Sequence, residues 1–173
     1  MKNQTSMETK SPEMYATEND IAKSRRSELN ELMNQRLSDA IDLQMQMKQA
    51  HWNVKGPSFI ALHELFDKVA EAVETYVDLV AERIVQLGGI ADGSVRTVAK
   101  ISRLQGYPVR LADGLAHVDA VTKALSSFGH EVRTTIVQAG DLEDPVTADV
   151  FTEISRGIDK WLWFVEAHNQ AQK

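Results

Sequence analysis

Five residues with metal-ligand chemistry fall within one stretch of this 173-residue chain: His51, His63, Asp67, Asp78 and Glu82. His63 and Asp67 stand four positions apart, and so do Asp78 and Glu82. On a helix that spacing puts each pair on one face, placed to grip one metal ion. The step from Asp67 to Asp78 turns a helix by about 1100°, within about 20° of three full turns. Both pairs therefore share a face. They also lie about 16 Å apart along the axis, whereas metal–ligand bonds are about 2 Å long. One helix cannot bring both pairs to one ion. A second, antiparallel copy across a two-fold axis can, because its Asp78 and Glu82 would then face His51, His63 and Asp67 of the first. The spacing predicts an intersubunit site, with only half-sites in a monomer. Imidazole with carboxylate suits iron, zinc or manganese. A carboxylate-rich site with open positions favours divalent iron and redox use over a closed structural zinc. The competing reading is a solvated acidic face, since Glu71 and Glu74 share the stripe and such pairs are common on exposed helices.

Helices must hold these groups. Pro12, Pro57, Pro108 and Pro145 separate long stretches in which apolar residues recur at helical spacing, and strand signals are nearly absent. Leu29, Met33, Leu37, Ala40, Leu43 and Met47 predict a first helix from Ile21 or Ser27 to Trp52. After the Asn53–Pro57 break, Ser58 is a candidate N-cap. A second helix then runs to about Leu87 along Leu62, Phe66, Val69, Val73, Val77, Val80 and Ile84, and Gly88-Gly89 ends it. The connection from Gly88 to Pro108 is long for a bundle and has room for a short helix near Ser94–Lys100. A third helix begins near Asp113–His117 and ends near Gly140; a fourth covers about Val146–Asn169. The expected fold is all-α: a ferritin-like four-helix bundle with a short helix in the crossover. The expected domains are a flexible polar tail, residues 1–21, and the bundle, residues 22–173.

Composition narrows the chemistry. There is no Cys, which excludes disulfides, thiolate metal sites and a Cys nucleophile within the chain. No apolar run approaches the ~20 residues a membrane span needs, and no secretory signal is evident, so a cytoplasmic location is expected. With Lys+Arg 19 against Asp+Glu 25, the net charge of −6 should repel nucleic acid unless a basic arm overrides it. The Glu-x-x-His motif of di-iron bundles is absent, which disfavours an intrasubunit centre of that kind.

The run Lys48–Phe59 (KQAHWNVKGPSF), followed by His63-Glu64, Asp67, Asp78, Ala81-Glu82-Arg83 and Gln86–Gly89, resembles the Dps family of mini-ferritins, the DNA-binding proteins from starved cells. The stretch Asp159–His168 is similar to that family's last-helix signature. The resemblance covers everything after the tail. It implies a hollow homododecamer with ferroxidase centres at its two-fold interfaces. His51, His63 and Asp67 of one subunit would act with Asp78 and Glu82 of its mate. Fe(II) would be oxidised by hydrogen peroxide, and more slowly by oxygen, and the Fe(III) stored as mineral. Iron is the expected metal, with zinc or another divalent ion able to substitute. Trp52 is a candidate sacrificial electron donor or a packing aromatic at a helix end. Trp161 and Trp163 read as core or interface residues.

Two further sites are expectations of the same kind. Acidic residues near Asp141, Asp144 and Asp149 would line an iron-entry pore at a three-fold axis; the alternative is a helix N-terminus decorated with acids. Some members of the family bind DNA through a basic arm. Here Lys2, Lys10, Lys23, Arg25 and Arg26 are nearly cancelled by Glu8, Glu13, Glu18 and Asp20. DNA compaction is the alternative function, and binding this weak should vanish as salt rises. His117, His130 and His168 read as lone histidines without assigned chemistry.

Overall fold

The computed structural model describes residues 14–170. It contains five helices in this range: α1 Lys23–Asn53, α2 Phe59–Gln86, α3 Val95–Ile101, α4 Gly114–Asp141 and α5 Pro145–Gln170. The long helices α1, α2, α4 and α5 form the bundle. α1 pairs with α2 and α4 with α5, while α1 meets α4 and α2 meets α5 across the core. The crossover that carries α3 runs the length of the bundle, so α4 starts beside the α1–α2 turn. There Lys55 donates its N–H to the Ala112 carbonyl at 2.9 Å. The order is up-down-down-up, as the long connection predicted.

The apolar stripes seal the core. Leu29, Met33, Leu37, Leu43 and Met47 of α1 are buried against Leu62, Phe66, Val69, Val73, Val80 and Ile84 of α2. Val118, Val121, Leu125, Phe128 and Val132 of α4 and Phe151, Ile154, Ile158 and Val165 of α5 complete it. Val77, Ile136 and Trp161 are only partly buried. Ser58 occupies the N-cap position of α2 but makes no side-chain capping bond. Asp113 does cap α4, accepting from the Ala116 N–H at 3.0 Å.

A second, polar stripe on α1 escapes a purely apolar reading. Asn34 donates to the Ile90 carbonyl, Gln35 to Ile101 and Gln46 to Gln105. Asp39 accepts from the Arg103 N–H at 2.8 Å, and Asp42 from the Ser102 hydroxyl at 2.6 Å. All but the Asp42–Ser102 contact satisfy backbone groups that the crossover would otherwise leave unpaired against the bundle. The crossover is thus zipped down along α1. Arg36, buried beside it, pairs with Asp39 at 3.0 Å and with Glu131 of α4.

The segment assigned to a flexible tail is in part pinned. Tyr15 donates its N–H to the Gly88 carbonyl at 2.8 Å. Arg26 donates to the Ile21 carbonyl at 2.9 Å and the Leu87 carbonyl at 3.0 Å. Gly88 has φ +80°, and a Cβ there would lie 2.6 Å from the Tyr15 carbonyl oxygen. Only glycine allows both that backbone geometry and so close an approach. Residues 14–22 therefore lie against the end of α2; residues 1–13 are outside the described residues.

At the α4–α5 corner, Asp144 is buried and its carboxylate is fully engaged. It accepts from the Thr147 N–H and hydroxyl and takes both oxygens to Arg83 of α2, at 2.9 and 3.0 Å. Burial alone would raise its pKa. The Thr147 and Arg83 bonds outweigh burial and hold it below the ordinary carboxylate range. A depressed pKa adds stability above the unfolded value and loses it as pH falls through the folded value. Asp144→Ala removes the cap and strands the Arg83 charge, so stability should fall by about 3 kcal/mol or more at neutral pH. Urea denaturation across a pH series checks this. The gap between variant and parent should shrink as Asp144 protonates in the parent; a gap independent of pH would mean that its charge contributes nothing.

Candidate metal centre

The turn between α1 and α2 sets the first half of the site. Gly56 adopts φ +109°, Pro57 follows, and the Phe59 N–H bonds the Gly56 carbonyl at 3.0 Å. This reversal lays the last turn of α1 beside the first of α2. The His51 Nδ1 meets the His63 carbonyl at 2.8 Å, and the His63 Nδ1 meets the His51 carbonyl at 2.8 Å. Carbonyls only accept, so both Nδ1 atoms must carry hydrogen. Each ring is thereby fixed in one tautomer with its Nε2 lone pair free, the arrangement that orients histidine toward a metal. The rings stack with centroids 3.8 Å apart and an interplanar angle of 23°.

Asp67 lies one turn beyond His63, with its carboxylate 4.0 Å from His51 Nδ1. It is already paired with Lys48 of α1. The hydrogen bond from Lys48 holds the Asp67 carboxyl below the ordinary range, against a smaller upward push from burial. Lys48 was not among the residues marked by spacing. Its position three residues before His51 on the same helix face was the available signal. Asp78 and Glu82 sit further along α2, exposed, with no hydrogen bond or ion pair among the described residues. Among the described residues of one chain, no group of three or more His, Asp or Glu side chains gathers round a metal-sized point. The structure stacks His51 on His63 and sets Asp67 4.0 Å from His51, without converging the three on one point; Asp78 and Glu82 lie about three turns further along α2. The donor set is nitrogen and hard oxygen, which fits iron and tolerates zinc.

The remaining expected residues divide. Trp52 is 58% exposed next to His51 and packs no core. Trp163 is 61% exposed, and Trp161 is partly buried beneath Lys160. Asp141 and Asp149 are exposed near the α4–α5 corner. Asp144 is not available to line a pore, because Thr147 and Arg83 occupy both its oxygens inside the fold. Of the basic residues, Arg26 is buried on carbonyls and Arg25 is paired with Glu143. Only Lys23 remains exposed; Lys2 and Lys10 lie outside the described residues.

The ferritin-like domain family matches residues 30–172. A DNA protection during starvation protein of Agrobacterium fabrum is 41% identical over 156 residues, covering 90% of this chain and 96% of that protein. The chain belongs to the Dps branch of the ferritin-like family. The Dps of Mycobacterium smegmatis, solved in a tetragonal form, superposes with TM-score 0.85 at 32% identity, covering 90% of this chain and 94% of that one. DpsA14 from Streptomyces coelicolor gives TM-score 0.85 at 33% identity over 91% and 92%. The ferritin-like fold is thus shared over nearly the whole Dps chain. No helix among the described residues is long and apolar enough to cross a membrane.

The Lys48 contact can be tested without metal. In Lys48→Met the Asp67 carboxyl should titrate at higher pH than in the parent, toward the ordinary carboxylate value, when followed by carbon NMR of labelled aspartate. An unchanged midpoint would mean that the ion pair does not persist in solution.

Proposed function

We propose that two copies of this chain pair across a two-fold axis and complete ferroxidase centres that neither holds alone. His51, His63 and Asp67 of one copy act there with Asp78 and Glu82 of the other. The observation that carries this reading is the reciprocal His51–His63 latch, which ties up both Nδ1 atoms and leaves each Nε2 free to bind, with Asp67 4.0 Å from His51. The rigid length of α2 then puts Asp78 and Glu82 out of reach within one chain.

Hydrogen peroxide is the proposed oxidant and Fe(II) the substrate. Two Fe(II) give two electrons, and peroxide with two protons becomes two waters, so no hydroxyl radical leaves the site. Hard carboxylate oxygen stabilises Fe(III) over Fe(II) and drives the reaction forward. Fe(III) then accumulates as mineral inside a hollow dodecamer in the cytoplasm. Exposed Asp141 and Asp149, repeated round a three-fold axis, would attract the incoming cation, while Trp52 is placed to give an electron to stray oxidant.

Protection of DNA then follows from chemistry rather than from coating. The relatives are named for DNA protection, but Arg26 is buried on backbone carbonyls and Arg25 pairs with Glu143 at the surface. Plasmid retardation by this protein should fade at physiological salt. Retardation that survives such salt and is lost on removing residues 1–13 would favour DNA compaction.

Asp78→Ala with Glu82→Ala should reduce peroxide-dependent Fe(II) oxidation about 100-fold or more, the scale of losing principal ligands and their charge. Particles mixed with His51→Ala, His63→Ala subunits should recover part of the rate, because some interfaces then hold one intact set. Stopped-flow absorbance reads the rate and native mass spectrometry the mixing. Heteromers that form yet stay inactive would refute the intersubunit placement.

A further inference from the structure

His117, which sequence spacing left without chemistry, has a partner. It is fully buried in the first turn of α4, and its Nδ1 lies 2.6 Å from the Tyr107 hydroxyl. Tyr107 comes from the end of the crossover and is half-buried. It lines a solvent-open cavity of about 380 Å³, with Gln46 and Lys123 among the other walls. The Tyr107 and His117 rings lie 6.0 Å apart at 24°.

The environment sets the protonation of both. Burial pushes the His117 pKa down; the carbonyls of Leu111 and Asn53 and the Asp113 charge oppose this, and Lys55 adds to it. His117 is therefore neutral near pH 7, and its Nδ1 accepts the Tyr107 hydrogen. Its Nε2 then carries the ring hydrogen; it meets no partner at hydrogen-bond distance, although those carbonyls face the ring. Burial also pushes the Tyr107 phenol well above its usual range. Tyr107 thus keeps its proton at rest. An oxidised phenol is a strong acid, so Tyr107 loses an electron readily only where a base can take its proton, and His117 is that base.

A route leads from the pair toward the metal ligands. The His117 ring faces Phe66 of α2 at 6.5 Å. Phe66 precedes Asp67 and lies one helical turn after His63. Aromatic side chains therefore connect the crossover to the helix that carries the proposed centre.

We propose that Tyr107 is a reversible one-electron donor to that centre, with His117 taking and returning its proton. This rests on the ferroxidase reading above. Peroxide needs two electrons, and a centre that holds a single Fe(II) supplies only one. The second comes from Tyr107: Fe(II), Tyr107–OH, neutral His117, peroxide and two protons from solvent give Fe(III), the neutral Tyr107 radical, protonated His117 and two waters. The phenolic O–H bond breaks, its hydrogen moves to His117 Nδ1 as a proton, and the electron goes to peroxide. A further Fe(II) then reduces the radical to Tyr107–OH as His117 gives the proton back, leaving a second Fe(III). Trp52 differs in its setting: it is exposed and makes no hydrogen bond among the described residues, so a proton it loses goes to water.

The test has two arms on the full-length assembly, both read by electron paramagnetic resonance with ring-deuterated tyrosine. In the first, metal-free protein is oxidised by a photogenerated one-electron oxidant. A neutral tyrosyl signal should appear that Tyr107→Phe removes and Tyr76→Phe and Tyr15→Phe do not. His117→Gln should slow its formation about 100-fold, the scale of a lost proton acceptor, with helix content unchanged. In the second, one Fe(II) per centre is mixed with peroxide and frozen. The same signal should form and then decay on adding more Fe(II).

A tyrosyl signal that survives Tyr107→Phe in the first arm overturns the proposal, even if His117→Gln fails to fold. Iron that oxidises at the parent rate with no Tyr107 radical overturns it while leaving the ferroxidase reading intact. Iron that does not oxidise in the second arm overturns the ferroxidase reading and with it the donor role; the first arm then still decides whether Tyr107 is a redox group.

Discussion

A straight helix fixes the distances between its residues, and that rigidity governs what this chain can do alone. α2 carries His63 and Asp67 near its start and Asp78 and Glu82 near its end, about three turns apart. No rotamer closes such a gap. The turn at Gly56 and Pro57 adds His51 to the first group, and nothing in the fold bends the second group back toward it. The bundle is therefore built to present an incomplete constellation. On the reading proposed above, a second copy of the chain would complete it; Asp78 and Glu82 are exposed, and their carboxylates have no partner among the described residues.

Polar contacts at the two ends keep this geometry rigid. At one end, the Arg83–Asp144 pair ties the helix of Glu82 to the α4–α5 corner. Replacing such a buried pair with apolar residues could be neutral in stability, but breaking one half is costly. Its value here is positional, since Arg83 directly follows Glu82. Arg26 closes the same end by drawing residues 14–22 onto the Leu87 carbonyl. At the other end, the two histidines hold each other through backbone carbonyls, and Lys55 is bonded to Ala112.

The four long helices were legible because each buries one stripe, and a period near 3.6 survives in the order of Leu, Val, Phe and Ile. That His63 shares a face with Asp67, and Asp78 with Glu82, follows from the same helical geometry. Three things were not legible. Arg26 is a surface residue by type, and only its distant carbonyl partners explain why it is buried. Asp144 sits in an acidic run that reads as exposed, yet Arg83, remote in sequence, draws it inside. The polar stripe of α1 resembles a solvated face, because the backbone it satisfies comes from a crossover with no pattern of its own. In each case the deciding partner is far along the chain, and local spacing carries no record of it.

The same reasoning explains why Tyr107 and His117 were invisible as a pair. Ten residues separate them, and a prolyl turn and the start of α4 intervene. Neither lies in a helix shared with the other, so no periodicity relates them. What joins them is the path of the crossover. The α1 side chains from Asn34 to Gln46 fix its backbone along the bundle, and Lys55 fixes its end. A loop free to move could not hold a phenol 2.6 Å from a buried imidazole. A long connection zipped at so many points is stiff enough to deliver one side chain to one base, and that stiffness is a condition for moving a proton and returning it.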